Sequence, residues 1–210
     1  MDIENVIKTA SEKYGVRYFL IVGGLGSGKS TMIFNNHENN PLVNPATEHE
    51  RKVSLFYPAR KNSNAIYKKI SEIYQDEISY NNKLNRHIRF NKGSLKFWSL
   101  GGKSMQESGR GYFYDRIIYD NSNEIIPSVF EHHLEVVAKP LLLENPNCDV
   151  FLLGRRGEAD SFFHHLARRG IRTAQQMAKN EGLGLSLGLE AIPLKDGKNE
   201  YSQWLTIIID

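Results

Sequence analysis

The sequence predicts an α/β fold: a mostly parallel central sheet with helices on both faces. Short apolar runs bounded by turn residues recur along the chain, and helix-period segments lie between several of them. A third observation, strict alternation over residues 87–100, adds an antiparallel hairpin.

Taken in order, the first apolar run is Tyr18-Phe19-Leu20-Ile21-Val22, which ends at a glycine-rich turn. The second, Val53-Ser54-Leu55-Phe56-Tyr57, leads to a helical stretch from Ala65 to Gln75 with Ile66, Ile70, Ile73 and Tyr74 on one face. From His87 to Leu100 the period becomes two. Ile88 and Phe90 alternate with His87, Arg89 and Asn91, a turn follows at Lys92-Gly93-Ser94, and then Leu95 and Phe97 alternate with Lys96 and Trp98. Arg116-Ile117-Ile118-Tyr119 is the next strand, followed by a helix over Val129 to Val137. Val150-Phe151-Leu152-Leu153 precedes a helix from Asp160 to Arg169. Gly182 to Asn199, rich in Gly and Lys, reads as a long surface loop before the last strand, Trp204 to Ile209.

Length and composition set the class. With 210 residues the expectation is one domain over residues 1–210, long enough to bury roughly 70% of its unfolded surface. Apolar residues make up 40% and charged residues 24%, and the mean hydropathy is −0.46. No run approaches the ~18 apolar residues of a membrane span, and ten Phe with ten Tyr supply a core. Cys148 is the single cysteine, which excludes a disulfide framework and reads as a small buried residue. The polar, acid-containing start MDIENVIKTASEK carries no secretory signal. A soluble intracellular protein is expected, with no membrane partner. Because Asp210 directly follows an apolar strand, the chain is expected to be part of something longer.

The strongest chemical signal is Gly23-Gly24-Leu25-Gly26-Ser27-Gly28-Lys29-Ser30, which fits G-x-x-x-x-G-K-[ST] between a strand and a helix beginning at about Lys29. Glycines let successive backbone N–H groups converge on phosphates at a helix N-terminus. Lys29 places its charge on the β- and γ-phosphates of ATP, the Ser30 hydroxyl coordinates Mg²⁺, and Thr31 continues the cradle. A P-loop of this kind needs a carboxylate at the end of a nearby strand, and Asp120 follows Arg116-Ile117-Ile118-Tyr119 as that second Mg²⁺ ligand. In P-loop NTPases of the additional-strand (ASCE) class the next residue is usually a Glu that polarises water. Here it is Asn121, whose amide cannot accept the proton. Glu124 is open to two readings: an ordinary acid at a helix start, or the missing base if the loop folds back.

Together these motifs resemble the ATPase domain of a viral large terminase, the motor that packages DNA into capsids. Besides the P-loop and Asp120, the resemblance rests on Phe56-Tyr57-Pro58-Ala59-Arg60-Lys61 leading into Ile66-Tyr67-Lys68-Lys69-Ile70, and on the hairpin Ile88 to Phe97 with its central Gly93-Ser94. It rests too on Gly109-Arg110-Gly111-Tyr112, and on Leu152-Leu153-Gly154 followed by Phe162-Phe163 and Leu166, a coupling-motif region. It runs from about Tyr14 to Asp210. The chain departs from the family pattern in three ways: Leu25 where many terminases carry a basic residue, Asn121 for Glu, and Arg155-Arg156 for a small hydroxyl residue and proline. The resemblance implies ATP and Mg²⁺ as ligands, double-stranded DNA as partner, a homo-oligomeric ring on a capsid portal, a small terminase subunit, and a place in the host cytoplasm. It also implies that the family's nuclease domain is absent from these residues.

Other residues are open to more than one reading. Arg110 is either an arginine finger, in its own or a neighbouring subunit, or a solvated loop residue. Arg155 and Arg156, at the carboxyl end of a strand, are either phosphate sensors or a surface pair. The basic stretches Arg51-Lys52, Arg60-Lys61, Lys68-Lys69, the run Lys83-Arg86-Arg89-Lys92-Lys96, and Arg168-Arg169 with Arg172 suit either DNA phosphates or plain solvation, and Trp98 on the hairpin's polar face is a stacking candidate. The adjacent pairs His132-His133 and His164-His165 diverge by about 100° on a helix and make no chelating face. Two rival functions stay open: a nucleotide-binding module that does not hydrolyse, and another P-loop DNA-handling ATPase.

Overall fold

The computed structural model describes residues 3–24, 27, 29–34, 46, 50–101, 107–155, 162–170 and 204–209. Eight strands form one sheet: β1 (Tyr18–Gly23), β2 (Lys52–Tyr57), β3 (Ile78–Asn82), β4 (His87–Phe90), β5 (Ser94–Ser99), β6 (Arg116–Tyr119), β7 (Asp149–Arg155) and β8 (Trp204–Ile209). Their spatial order is β3-β4-β5-β2-β6-β7-β1-β8. β4 runs antiparallel to both neighbours, and every other pairing is parallel. β7 therefore lies between β1, which feeds the P-loop, and β6, which ends at Asp120. That interposed strand is the additional strand of the ASCE class.

Alternation along the strands divides the core in two. Phe19, Ile21, Leu55, Phe97, Ile118 and Phe151 face one side, and Leu20, Val22, Phe56, Ile117, Tyr119 and Leu152 the other. The first side is covered by α1 (Ile3–Tyr14) and α3 (Arg60–Ile73), with Ile33 of the short α2 (Thr31–Phe34) in the same cluster. The second is covered by α4 (Pro127–His133), a π-helical turn (Leu134–Ala138), α5 (Lys139–Glu144) and α6 (Phe162–Arg169). Because both faces are covered, the central strands read as unbroken apolar runs.

The five predicted apolar strands, the hairpin and the three predicted helices are all present; β6 and β8 have the predicted ends, and several of the others differ at theirs. The helix predicted from Ala65 begins at Arg60. The one predicted over Val129 to Val137 runs from Pro127 to Glu144 with the π turn inside it. Pro140 has no N–H to give the turn before it, and the wider π geometry accommodates that gap. α1 and β3 were not predicted. Gly182 to Asn199 lies outside the described residues. Cys148 is buried, and burial pushes its thiol up to about 12. At the entry to β6, Arg116 donates to both carboxylate oxygens of its register partner Asp149 at 2.6 Å. Arg17, just before β1, donates to the carbonyls of Leu142 at 2.7 Å and Cys148 at 2.7 Å and so caps the end of α5.

Candidate nucleotide site

The site forms where β1, β6 and β7 end. β1 is buried along its whole length, which fixes Gly23 as the point where the chain leaves the sheet. From there the loop returns to α2, whose first turn is started by Met32 and Ile33 N–H groups bonding the Lys29 and Ser30 carbonyls at 3.2 and 3.1 Å. The Lys29 ammonium folds over the loop and donates to the carbonyls of Gly23 at 2.9 Å and Gly24 at 2.6 Å and to Ser27 Oγ at 2.8 Å. All three partners are uncharged. Burial lowers the pKa of Lys29, nearby Arg155 lowers it further, and Asp120 opposes them. Two cations, Lys29 and Arg155, thus meet at this end of the sheet, with Asp120 and Glu124 as the acids beside them.

Ser30 Oγ donates to Asp120 Oδ1 at 3.1 Å, joining residues ninety positions apart. Asp120 is 2% exposed, and its N–H bonds the Phe56 carbonyl at 3.0 Å, which ties the end of β6 to β2. Burial pushes the Asp120 carboxyl up to about 6, against the Ser30 hydroxyl and the Asn121 N–H that favour its charged form. A hydroxyl and a carboxylate side by side are the hard oxygen donors that suit Mg²⁺, so the residues present fit that ion.

The chain after Asp120 folds back. Asn121 adopts a left-handed conformation (φ 52°) and gives its N–H to Asp120 Oδ1 at 2.9 Å. The Glu124 N–H closes the following 3₁₀ turn (Ser122–Glu124) onto the Asn121 carbonyl at 2.8 Å. Glu124 Oε1 then stands 3.7 Å from Arg155 Nη2 at the end of β7, and the Arg155 N–H donates to Asn123 Oδ1 at 3.0 Å. The structure therefore brings Gly23, Gly24, Ser27, Lys29, Ser30, Asp120, Asn121, Glu124 and Arg155 to one end of the sheet. Leu25, Gly26, Gly28 and Arg156 lie outside the described residues, as does the side chain of Thr31.

Arg110 sits on the turn before β6 and pairs with Glu107 at 2.9 Å. Trp98 departs from its predicted role. Its Nε1 donates to the Tyr114 hydroxyl at 3.0 Å and its ring meets Tyr112 edge-on, so it packs within the protein. His133 is buried, with Nδ1 2.7 Å from the Tyr119 hydroxyl and Nε2 2.7 Å from the Ser108 carbonyl, which places the ring proton on Nε2. Sequence reasoning missed Asn123 and Tyr57. The Tyr57 hydroxyl is buried, has no hydrogen-bond partner among the described residues, and is raised by burial and by the Asp120 charge. An Asn in a polar turn and a Tyr in an apolar strand carry no sequence signal of such a position.

No protein-family model matches the chain, and no curated protein does. Solved structures do. The large terminase of a thermophilic bacteriophage superposes with a TM-score of 0.60 at 8% identity, over 98% of this chain and 44% of that one. The same large terminase in complex with ADP gives 0.56 at 10% identity, over 98% and 44%. The ATPase domain of the Thermus phage P74-26 large terminase gives 0.57 at 13% identity, over 92% and 75%. The chain spans less than half the length of the first of these proteins. At these identities the superpositions show the fold: this chain has the P-loop NTPase fold in the form taken by the ATPase domains of phage large terminases.

Proposed function

We propose that this domain binds MgATP and couples its hydrolysis to the movement of double-stranded DNA into a viral capsid. The observation that carries the reading is the Ser30–Asp120 hydrogen bond at 3.1 Å beside the loop-wrapped Lys29 ammonium. The loop backbone from Gly23 through Leu25, Gly26, Ser27 and Gly28 to Thr31 cradles the phosphates, and Lys29 exchanges its carbonyl partners for β- and γ-phosphate oxygens. Mg²⁺, held by Ser30 and Asp120, would neutralise the charge that develops on those oxygens. Glu124 takes the proton of the attacking water, because the turn after Asn121 carries its carboxylate back toward Asp120. Arg155 answers to the γ-phosphate from the end of β7. Arg110, displayed on the turn before β6, serves a neighbouring subunit of a ring on the capsid portal, where a small terminase subunit delivers DNA. The fold shared with phage large terminases, one of them in complex with ADP, supports this reading.

Asn121 favours one alternative, a domain that binds nucleotide and does not turn it over. Steady-state phosphate release from MgATP separates the two. The motor reading predicts release that Lys29→Ala removes and that Glu124→Gln lowers by about 100-fold or more. Silence in the unmodified chain with a gain in Asn121→Glu would favour the alternative, and release untouched by Glu124→Gln would remove Glu124 from the mechanism.

A further inference from the structure

A cavity of about 550 Å³ opens at the other end of β2, away from the nucleotide site. Lys52, which lines it, is the first residue of β2, and Phe56, whose carbonyl holds Asp120, is four residues on, so the two sites are separated by about 13 Å of strand. Its floor is one face of the sheet edge. His87 and Lys96 are register partners on β4 and β5, Arg89 and Lys52 both pair with Ser94, and Ile88, Phe90, Leu95 and Phe97 turn to the opposite, covered face. Lys92 adds a further cation from the hairpin turn, and Glu50 is the one acid in the lining. Among the described residues no ion pair engages Lys52, Arg89, Lys92 or Lys96. Burial, with Lys96 and Arg89 alongside, holds His87 below its usual value, and burial with Arg86 alongside does the same to Lys96. Positive charge is crowded here, with Glu50 in the lining and Asp115, whose Oδ2 accepts from the Lys52 N–H at 2.8 Å, as the acids beside it.

The opposite wall, Gly111 to Tyr114, is aromatic. Tyr112 is 54% exposed and is held by its stack on Tyr114 and its edge contact with Trp98. Phe113 is 62% exposed and meets no other ring among the described residues. Across the floor, Arg89 lies over the ring of exposed Tyr80 at 5.5 Å. Aromatic faces left in water beside a row of cations match a strand whose bases are unpaired. A duplex hides its base faces, whereas a single strand offers both phosphates and flat rings.

We infer that the cavity between the β4–β5 hairpin and the Gly111–Tyr114 loop is a binding site for single-stranded nucleic acid, with Lys52, Arg89, Lys92 and Lys96 on the phosphates and Tyr112 and Phe113 stacking on bases. The inference stands on this cavity alone and not on the nucleotide reading. The size suits one or two nucleotides, being within the range of about 300–1,000 Å³ typical of ligand pockets.

The test is fluorescence polarisation with the full chain, without ATP, using a labelled short oligodeoxythymidylate, the matching oligouridylate, and a mixed-sequence duplex of equal length. The single strands should bind at least about tenfold more tightly than the duplex, and whichever sugar binds more tightly identifies the natural strand as DNA or RNA. Arg89→Glu with Lys92→Glu, both exposed, should flatten the salt dependence and weaken binding about tenfold or more. Phe113→Ala should weaken it by about 5- to 150-fold, the span measured for base–aromatic stacking, with an unchanged melting curve. Lys29→Ala, made to remove nucleotide binding, should leave strand affinity untouched, so either site can fail without the other. Absence of strand binding, a duplex bound as tightly as the strands, or affinity unchanged in both variants would overturn the assignment.

Discussion

Asp120 and Asn121 act as a pair at the end of β6. Asn121 holds a left-handed backbone conformation that lets its own N–H reach back to Asp120 Oδ1. Asn tolerates that region through its short polar side chain, and a β-branched residue does not. Asn121→Gly should therefore preserve stability within a few tenths of a kcal/mol, and Asn121→Val should cost about 1–2 kcal/mol, both read by denaturant unfolding. The same geometry explains why only part of the site was legible in the sequence. Lys29, Ser30 and Asp120 belong to motifs whose spacing reflects the chemistry. Glu124 depended on whether the chain turned back after Asp120, and that turn rests on the φ of Asn121, which no residue pattern announces. Asn123 lies in the same turn and was hidden for the same reason.

β7 and α6 approach each other closely beside the site. A Cβ on Gly154 would stand 2.5 Å from ring atoms of Phe163, which is itself buried. Glycine at this position allows α6 to rest directly on the strand that carries Arg155. Gly154→Ala should push α6 outward and destabilise the domain by about 1–3 kcal/mol, and hydrogen exchange should show faster opening confined to α6 and the end of β7. Among elements, legibility followed burial. β1, β6 and β7 are covered on both faces and spell apolar runs. β3, Ile-Ser-Tyr-Asn-Asn, lies at the sheet edge with its middle residues exposed, so it lacks both the run and the alternation. Among its described side chains α1 buries a narrow stripe, Val6, Ile7 and Ala10, with Tyr14 packed against the same cluster. The π turn was invisible because Pro140 reads equally well as the end of a helix.

At the scale of the whole molecule, two buried groups near the site set opposing responses to acid. His133, held neutral between Tyr119 and Ser108, is lowered to about 4, chiefly by burial. Its unfolded form binds a proton first, so stability is present above pH ~6.5 and is lost as pH falls toward 4, by about 3 kcal/mol. Asp120 is raised to about 6 by burial, so its contribution has the opposite sign: fully present below pH ~4 and lost as pH rises through 6, again about 3 kcal/mol. The two nearly cancel in the unmodified chain. Between pH 4.5 and 6.5, His133→Gln should leave a protein that gains stability on acidification, and Asp120→Asn one that loses it, read from melting curves across that range. Parallel slopes in both variants would contradict the assignment. The Arg116–Asp149 pair makes a separate demand. Asp149→Ala strands a buried guanidinium and should cost about 3–5 kcal/mol, measured by urea unfolding.

The fold, the loop geometry and the proposed motor function all converge on one claim, that Lys29, Ser30 and Asp120 together hold MgATP. Calorimetric titration of ATP into the chain, with Mg²⁺ and with a chelator, beside Lys29→Ala, tests it most directly. The expected result is saturable binding that weakens without Mg²⁺ and disappears in Lys29→Ala. Tight MgATP binding retained by Lys29→Ala would contradict it.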